Sequence, residues 1–205
     1  QLALQILGRI KEIDKSVKAG EYEISGPMSI AQALKLLSDG KIIERKVTIP
    51  EGSTLVQIAD SIERAGINQK DKMLAEFHIQ KYLDILDIPA SSLEGYLFPE
   101  TYHFAKSTSP ETIVNQMVKE GVSRWPQEFT DRAEELGFSR HEILTLASII
   151  EKESGNLEEQ PTVASVFHNR LKAKMKLQSD PTVIYGLENF NGNLTKEDLS
   201  NPHVY

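Results

Sequence analysis

Apolar and polar positions along the chain fall into short helical and extended patterns divided by clear stop signals. Glu21-Tyr22-Glu23-Ile24 alternates polar and apolar and predicts a short strand ahead of a turn at Gly26-Pro27. Ser29 with Gln32 forms a capping box, and Ile30, Ala33, Leu34 and Leu37 make a helical stripe that Gly40 closes. Ile43 to Ile49 alternates again, with Val47 and Ile49 on one face, until Pro50 stops it. Beyond Glu51-Gly52-Ser53-Thr54, a second stripe of Leu55, Ile58, Ala59 and Ile62 ends at Gly66, and a further helix is expected from about Lys70 to Leu83. The first part of the chain therefore reads as β-α-β-α plus a helix.

The segment Ile88-Pro89-Ala90-Ser91-Ser92 is the best candidate linker. Leu93 to Phe104 is dense in aromatics (Tyr96, Phe98, Tyr102, Phe104), and Pro99 should interrupt any regular element there. This aromatic run reads more naturally as packing than as a platform for a ligand. The rest is helical: Ser109-Pro110 opens one helix, Gln127 to Leu136 forms another closed by Gly137, and Ser139 with Glu142 caps a third. That third helix carries Ile143, Leu144, Leu146, Ala147, Ile149 and Ile150, apolar round most of its circumference, which predicts a central, buried rod. It runs directly into Glu151-Lys152-Glu153-Ser154-Gly155. After a short connection, an amphipathic helix from about Thr162 to Met175 follows, which suits an antiparallel pair. A polar stretch, Gln178-Ser179-Asp180-Pro181-Thr182, then leads into one helical turn ending near Tyr185.

Composition narrows the chemistry. The chain has 205 residues with a net charge of −7, which argues against non-specific nucleic-acid binding. With no cysteine there is no disulfide framework, zinc–thiolate cluster or thiol nucleophile. The histidines (78, 103, 141, 168, 203) lack metal-ligand spacing, so no metal and no cofactor is expected, and Asn193-Leu194-Thr195 is a chance sequon. No apolar run is long enough to span a bilayer. The start at Gln1 and the ending Asn201-Pro202-His203-Val204-Tyr205 suggest a piece of a longer protein.

What remains is carboxylate chemistry at the end of the apolar helix. A carboxyl group placed where a buried helix meets a cleft loses solvation and tends to keep its proton, as a general acid must. Glu151 and Glu153 lie on opposite flanks of a stripe centred near Ile143 and Ile150, and periodicity does not choose between them. The plainer alternative makes both of them surface carboxylates at a frayed helix end. Gln178, Asp180, Thr182 and Tyr185 offer amide, carboxylate, hydroxyl and ring groups of the kind that hold sugars; alternatively, Ser179 or Asp180 merely caps a short helix.

Taken together, LASIIEKES (Leu146 to Ser154), VASVFHNRL (Val163 to Leu171), KLQSDPTVIYG (Lys176 to Gly186) and LEGYLFPETY (Leu93 to Tyr102) strongly resemble the bacterial endolytic murein transglycosylase (YceG-like) family. KAGEYEIS at Lys18 to Ser25 is similar to that family's entry into its ectodomain, and Val47 to Ile62 to its LysM-like segment. The fold implied is α+β. A small N-terminal β-α-β-α region spanning 1–88, LysM-like from about 45, would precede a mainly helical catalytic domain over 89–205 that is truncated at its C-terminus. The activity implied is lytic transglycosylation of peptidoglycan glycan strands, cleaving between N-acetylmuramic acid and N-acetylglucosamine to leave 1,6-anhydro ends. The family's catalytic Glu precedes a hydroxyl residue, which here selects Glu153, before Ser154, as a single acid/base. Substrate contacts are expected from Gln178, Asp180, Thr182 and Tyr185, then from Asn169, Glu100 and Tyr102. The resemblance also implies an anchor in the cytoplasmic membrane, upstream of this chain, with the catalytic part outside. Penicillin-binding proteins and other wall synthases are the implied partners, and strand termination the implied role. Two other classes stay open: a muramidase-type hydrolase using Asp180 or Glu100 as second carboxylate, and a non-catalytic glycan-binding or scaffold protein.

Overall fold

The computed structural model describes residues 20–187, 190 and 192–200. Lys18 and Ala19 of the ectodomain-entry motif, and the ending 201–205 with His203, lie outside the described residues. The chain separates into two compact units, Gln1–Val122 and Ser123–Tyr205.

In the first unit, α1 (Ile30–Asp39) starts at the predicted box: the Ser29 hydroxyl accepts from the Gln32 backbone N–H, the Gln32 side chain accepts from Ser29 N–H, and Gly40 closes the helix in the left-handed region at φ 62°. β1 (Glu44–Thr48) follows, then α2 (Leu55–Arg64), capped by a second box between Thr54 and Gln57. The predicted α2 stripe is the core: Leu55, Ile58, Ala59 and Ile62 are all buried. The helix expected over 70–83 is instead two, α3 (Lys70–Glu76) and α4 (Gln80–Leu86). The break lies where the Phe77 carbonyl accepts from the Leu93 N–H at 3.0 Å, a tertiary bond that takes over the acceptor a continuous helix would need. Phe77, Met73, Tyr82 and Leu83 are all buried, so the interruption keeps both apolar faces inward.

The segment past the candidate linker folds back onto this unit. β2 (Thr101–Ala105) pairs antiparallel with β1, in the register Glu44↔Ala105 to Thr48↔Thr101. Pro99 does not prevent a strand; it precedes one. Tyr96, Leu97, Tyr102 and Phe104 are buried, and the Tyr102 and Phe104 rings stack at 5.8 Å, so the aromatic run is packing. α5 (Pro110–Ser123) closes the unit, with the Ser109 hydroxyl accepting from Thr112 N–H and Ile113, Val114 and Met117 fully buried.

One expected strand is missing. Ile43 N–H donates to the Glu21 carbonyl at 2.7 Å, but Glu21–Ile24 develops no ladder, and among the described residues the sheet is two-stranded. Ile24 is 64% exposed, so this alternation has no face to bury. The architecture is α+β, with ten helices and this small sheet among the described residues.

The second unit is helical: α6 (Gln127–Leu136), α7 (Arg140–Glu153), α8 (Gln160–Lys172), α9 (Asp180–Tyr185) and α10 (Lys196–Ser200). α6 ends at Gly137, φ 78°. α7 starts at the predicted Ser139/Glu142 box. α8 ends with Lys174 in the left-handed region and Met175 N–H bonded to the Arg170 carbonyl at 2.8 Å, the closing bond of a Schellman turn. The expected central burial of α7 is not found. Of its side chains only Leu146 is buried, and Ala133, Leu146 and Phe167 are the buried apolar residues of this unit among those described. Among the described residues no helix is long and apolar enough to cross a membrane.

Candidate active site at the end of α7

α7 presents two candidate faces, separated by helix geometry. Leu146 and Glu153 are seven residues apart, within about 20° of two full turns, so the carboxylate follows the buried leucine on the same face. Ala147, Ile150 and Glu151 form a different i, i+3, i+4 stripe. The two candidate glutamates therefore look in different directions, and the surroundings of each can be described separately.

On the Glu153 face the neighbour is the segment that leads into α9. The Ser179 hydroxyl donates to Glu153 Oε1 at 2.5 Å. Ser179 is 3% exposed and is the buried polar residue of the described chain, whereas Glu153 itself is exposed. The water-shielded acid expected from the hydropathy pattern is thus not present: α7 is less buried than its composition suggests, and Glu153 sits at its open end. Ser154, the hydroxyl residue after it, donates instead to the Ile150 carbonyl at 2.7 Å and closes the helix. Ser179 is held in turn from its carbonyl, which accepts from Thr182 Oγ1 at 2.5 Å and from Thr182 N–H at 3.1 Å. Arg170 of α8 donates through Nη1 to the Leu177 carbonyl, fixing the approach to this turn. Gln178 between them takes φ 52°, a left-handed conformation that costs a non-glycine residue roughly 1 kcal/mol.

On the Glu151 face lies a groove of about 370 Å³ between α7 and α8, lined by Ala147, Ile150, Leu157, Pro161 and Ala164, with Glu151 and Gln160 at its polar edge. Gln160 Nε2 donates to Glu151 Oε2 at 3.1 Å.

The other expected contacts divide between the two units. Gln178 and Asp180, both exposed, flank Ser179 in sequence; Thr182 is half-buried, and Tyr185 at the end of α9 is 64% exposed. Asn169 is exposed on the last turn of α8. Glu100 and Tyr102 belong to the first unit. Glu100 Oε1 accepts from Thr101 N–H at 2.8 Å, and Tyr102 is a core residue whose hydroxyl donates to the Phe98 carbonyl at 2.7 Å. Ser179 is the participant that sequence reasoning assigned only a capping role. Its signal lay in the pattern, because a serine before Asp-Pro is read as a cap by default. Among the described residues no group of three or more His, Cys, Asp or Glu could hold a metal ion.

Comparison with known proteins adds a consistent set of relatives. The model of the YceG-like family matches residues 1–205. The chain is 31% identical over 198 residues to the endolytic murein transglycosylase of Bacillus subtilis, covering 89% of this chain and 55% of that protein. It is 30% identical over 211 residues to the endolytic murein transglycosylase of Streptococcus pneumoniae serotype 2, covering 90% of this chain and 38% of that one. A crystal structure of a yceG-like protein, lmo1499, from Listeria monocytogenes superposes with a TM-score of 0.69 at 33% identity, covering 98% of this chain and 71% of that one. The chain thus spans about half, or less, of the length of the curated relatives it matches.

Proposed function

The chain belongs to the YceG-like family, and from that premise we propose that it is the core of an endolytic lytic transglycosylase acting on peptidoglycan glycan strands. The reaction breaks the β-1,4 bond between N-acetylmuramic acid and N-acetylglucosamine and leaves a 1,6-anhydro end. The observation that carries this reading is Glu153, the glutamate that closes α7, fixed through Oε1 by a buried serine hydroxyl at 2.5 Å.

Glycosidases usually use two carboxylates; a reaction that closes inside one sugar needs one. Protonated Glu153 donates to the departing O4 of N-acetylglucosamine as the C1–O4 bond breaks. The muramic 2-acetamido carbonyl stabilises the positive charge building at C1. Ionised Glu153 then takes the proton from the muramic C6 hydroxyl as O6 bonds to C1. The acid is restored and no water is consumed. Proton transfer of this kind is worth roughly 10²–10⁴ in rate, and much of the remainder comes from holding the strand in place. A strand laid across the end of α7 would itself exclude water from Glu153, supplying the desolvation that the exposed carboxylate lacks alone. Gln178, Asp180, Thr182 and Tyr185 are the contacts this pose favours, with Asn169 behind them.

The wider setting follows from the family resemblance. It comprises a membrane anchor with the catalytic part on the extracytoplasmic side, termination of nascent strands, and wall synthases, penicillin-binding proteins included, as partners. Val47 to Ile62, similar to a LysM-like segment, covers the end of β1 and most of α2 and is a candidate glycan-binding element.

The groove beside Glu151 favours a second reading, with Glu151 as the acid. One experiment separates the two. Purified glycan strands are digested with wild type, Glu153→Gln and Glu151→Gln, and the products are weighed. Anhydro ends, one water lighter than hydrolysed ends, are expected from wild type and Glu151→Gln and not from Glu153→Gln. Loss in Glu151→Gln with retention in Glu153→Gln reverses the assignment, and hydrolysed ends from wild type make the enzyme a muramidase.

A further inference from the structure

We infer that Ser179 is a positioning residue that sets which oxygen of Glu153 carries the transferred proton; this rests on the reading of Glu153 as the acid/base. The inference begins with a departure from local rules. Ser29, Thr54 and Ser139, at the N-caps of α1, α2 and α7, all turn their hydroxyls to their own helix and complete capping boxes. Ser179 occupies the N-cap of α9 with the extended backbone of a cap, φ −111° and ψ 127°, yet makes no side-chain capping bond. Its hydroxyl goes across to α7 and meets Glu153 Oε1. A cap residue diverted from its helix to a carboxylate is a local cost with a distant recipient, the pattern expected at a functional site.

The chemistry of the contact is specific. A serine hydroxyl has one hydrogen to give, and here it is given to Oε1 at a distance typical of charge-assisted O–H···O bonds. Oε1 is thereby occupied, so the acid's proton resides on Oε2, which faces the leaving oxygen first and the C6 hydroxyl second. The bond also fixes the carboxyl plane of an otherwise exposed side chain. Ser179 can do this because it is held on several sides: it is 3% exposed, its carbonyl accepts from both Thr182 donors, and Arg170 bonds the preceding turn.

The test compares wild type, Ser179→Ala, Ser179→Thr and Glu153→Gln in the intact protein, reading anhydro-end formation as separate kcat and KM values together with a melting curve. Removing the hydroxyl should lower kcat roughly 10- to 100-fold, the scale of a misplaced reacting group, with KM within about twofold and the melting temperature unchanged. The threonine variant, which keeps a hydroxyl, should recover most of the loss. Wild-type kcat in Ser179→Ala overturns the inference, and so does a rise in KM alone, which would make Ser179 a substrate contact. Should Ser179→Ala not fold, Thr182→Val carries the test. It removes the Oγ1 half of the clamp on the Ser179 carbonyl and leaves the backbone half. Several-fold lower kcat supports the role, whatever KM does at this proposed contact, while wild-type kcat refutes it. If wild type forms no anhydro ends, or Glu153→Gln keeps forming them, the functional reading itself fails and the inference goes with it. Loss in Glu153→Gln with none in Ser179→Ala sinks the inference alone.

Discussion

Replacing Leu146 by alanine tests whether Glu153 is aimed by the packing of α7. Leu146 is 6% exposed and is the buried side chain of its helix, so its removal forfeits nearly the full transfer free energy of the lost carbons. Buried Leu→Ala changes cost about 2–5 kcal/mol, depending on how far the surroundings collapse. The second unit has a thin core, with Ala133 and Phe167 as the other buried apolar residues among those described, so a cavity there can relax or admit water. That argues for the lower half of the range, about 2–3 kcal/mol. At tenfold per 1.4 kcal/mol, local opening of α7 should become roughly 25- to 150-fold more frequent. Native-state hydrogen exchange reads this directly. Backbone amides in the second half of α7 and in α8 should exchange faster by that factor. Those of α2 and α5, around fully buried Ile62, Ile113 and Met117, should not change. Anhydro-end formation should fall as well, because the carboxylate two turns on loses its register with Ser179. If exchange in α7 is unmoved by Leu146→Ala but accelerates in Ile143→Ala or Ile150→Ala, the packed face is the one hydropathy suggests. The alignment of Leu146 with Glu153 then has no energetic basis.

Ser139→Ala removes the hydroxyl half of the box that starts α7 and should cost about 1 kcal/mol in urea unfolding. Its partner Glu142 is held below the ordinary glutamate range by the Ser139 backbone N–H first and the Ser139 hydroxyl second. A lowered folded value stabilises the protein above the unfolded value and is lost as pH falls through the folded one. The melting-temperature gap between wild type and Glu142→Gln should therefore shrink from neutral to strongly acid pH. Gln178→Gly relieves a left-handed backbone at φ 52° and should leave the melting temperature equal or higher, while KM for glycan rises several-fold if the amide binds sugar. A lower melting temperature with unaltered KM would count against both halves of that expectation.

What could be read from the sequence was mostly what is decided locally. The Ser29/Gln32 and Ser139/Glu142 boxes, the α2 stripe and the glycine stops at 40 and 137 each depend on neighbours a few residues away, and the structure contains each of them. The misreadings have long-range causes. The partner of β1 is β2, with Thr48 Oγ1 bonded to Thr101 Oγ1 across 53 residues, and no periodicity encodes that choice. Tyr22 and Ile24 alternate like a strand, but a strand needs an edge to join, and beside the paired β1 and β2 the Glu21 backbone makes an isolated bond to Ile43 rather than a ladder. Phe77 interrupts a good helical pattern because Leu93 claims its carbonyl from outside.

Burial was the larger misjudgement, and it bears on chemistry. Six apolar side chains between Ile143 and Ile150 imply a rod sunk in a core, but burial requires neighbours, and around α7 only the Leu146 direction finds enough of them. An acid at the end of such a helix cannot depend on a ready-made dry pocket. It needs two things that hydropathy does not report: a fixed orientation before substrate arrives, and a covering when it does. The diverted hydroxyl of Ser179 supplies the first at the expense of a helix cap worth about 1 kcal/mol. On the proposed function the second comes from the glycan itself, which makes shielding of the proton part of binding. On that reading Glu153 is shielded from water only when the strand lies across α7. Single disaccharides, too short to cover Glu153, should then react poorly even where they bind, whereas longer strands should be turned over.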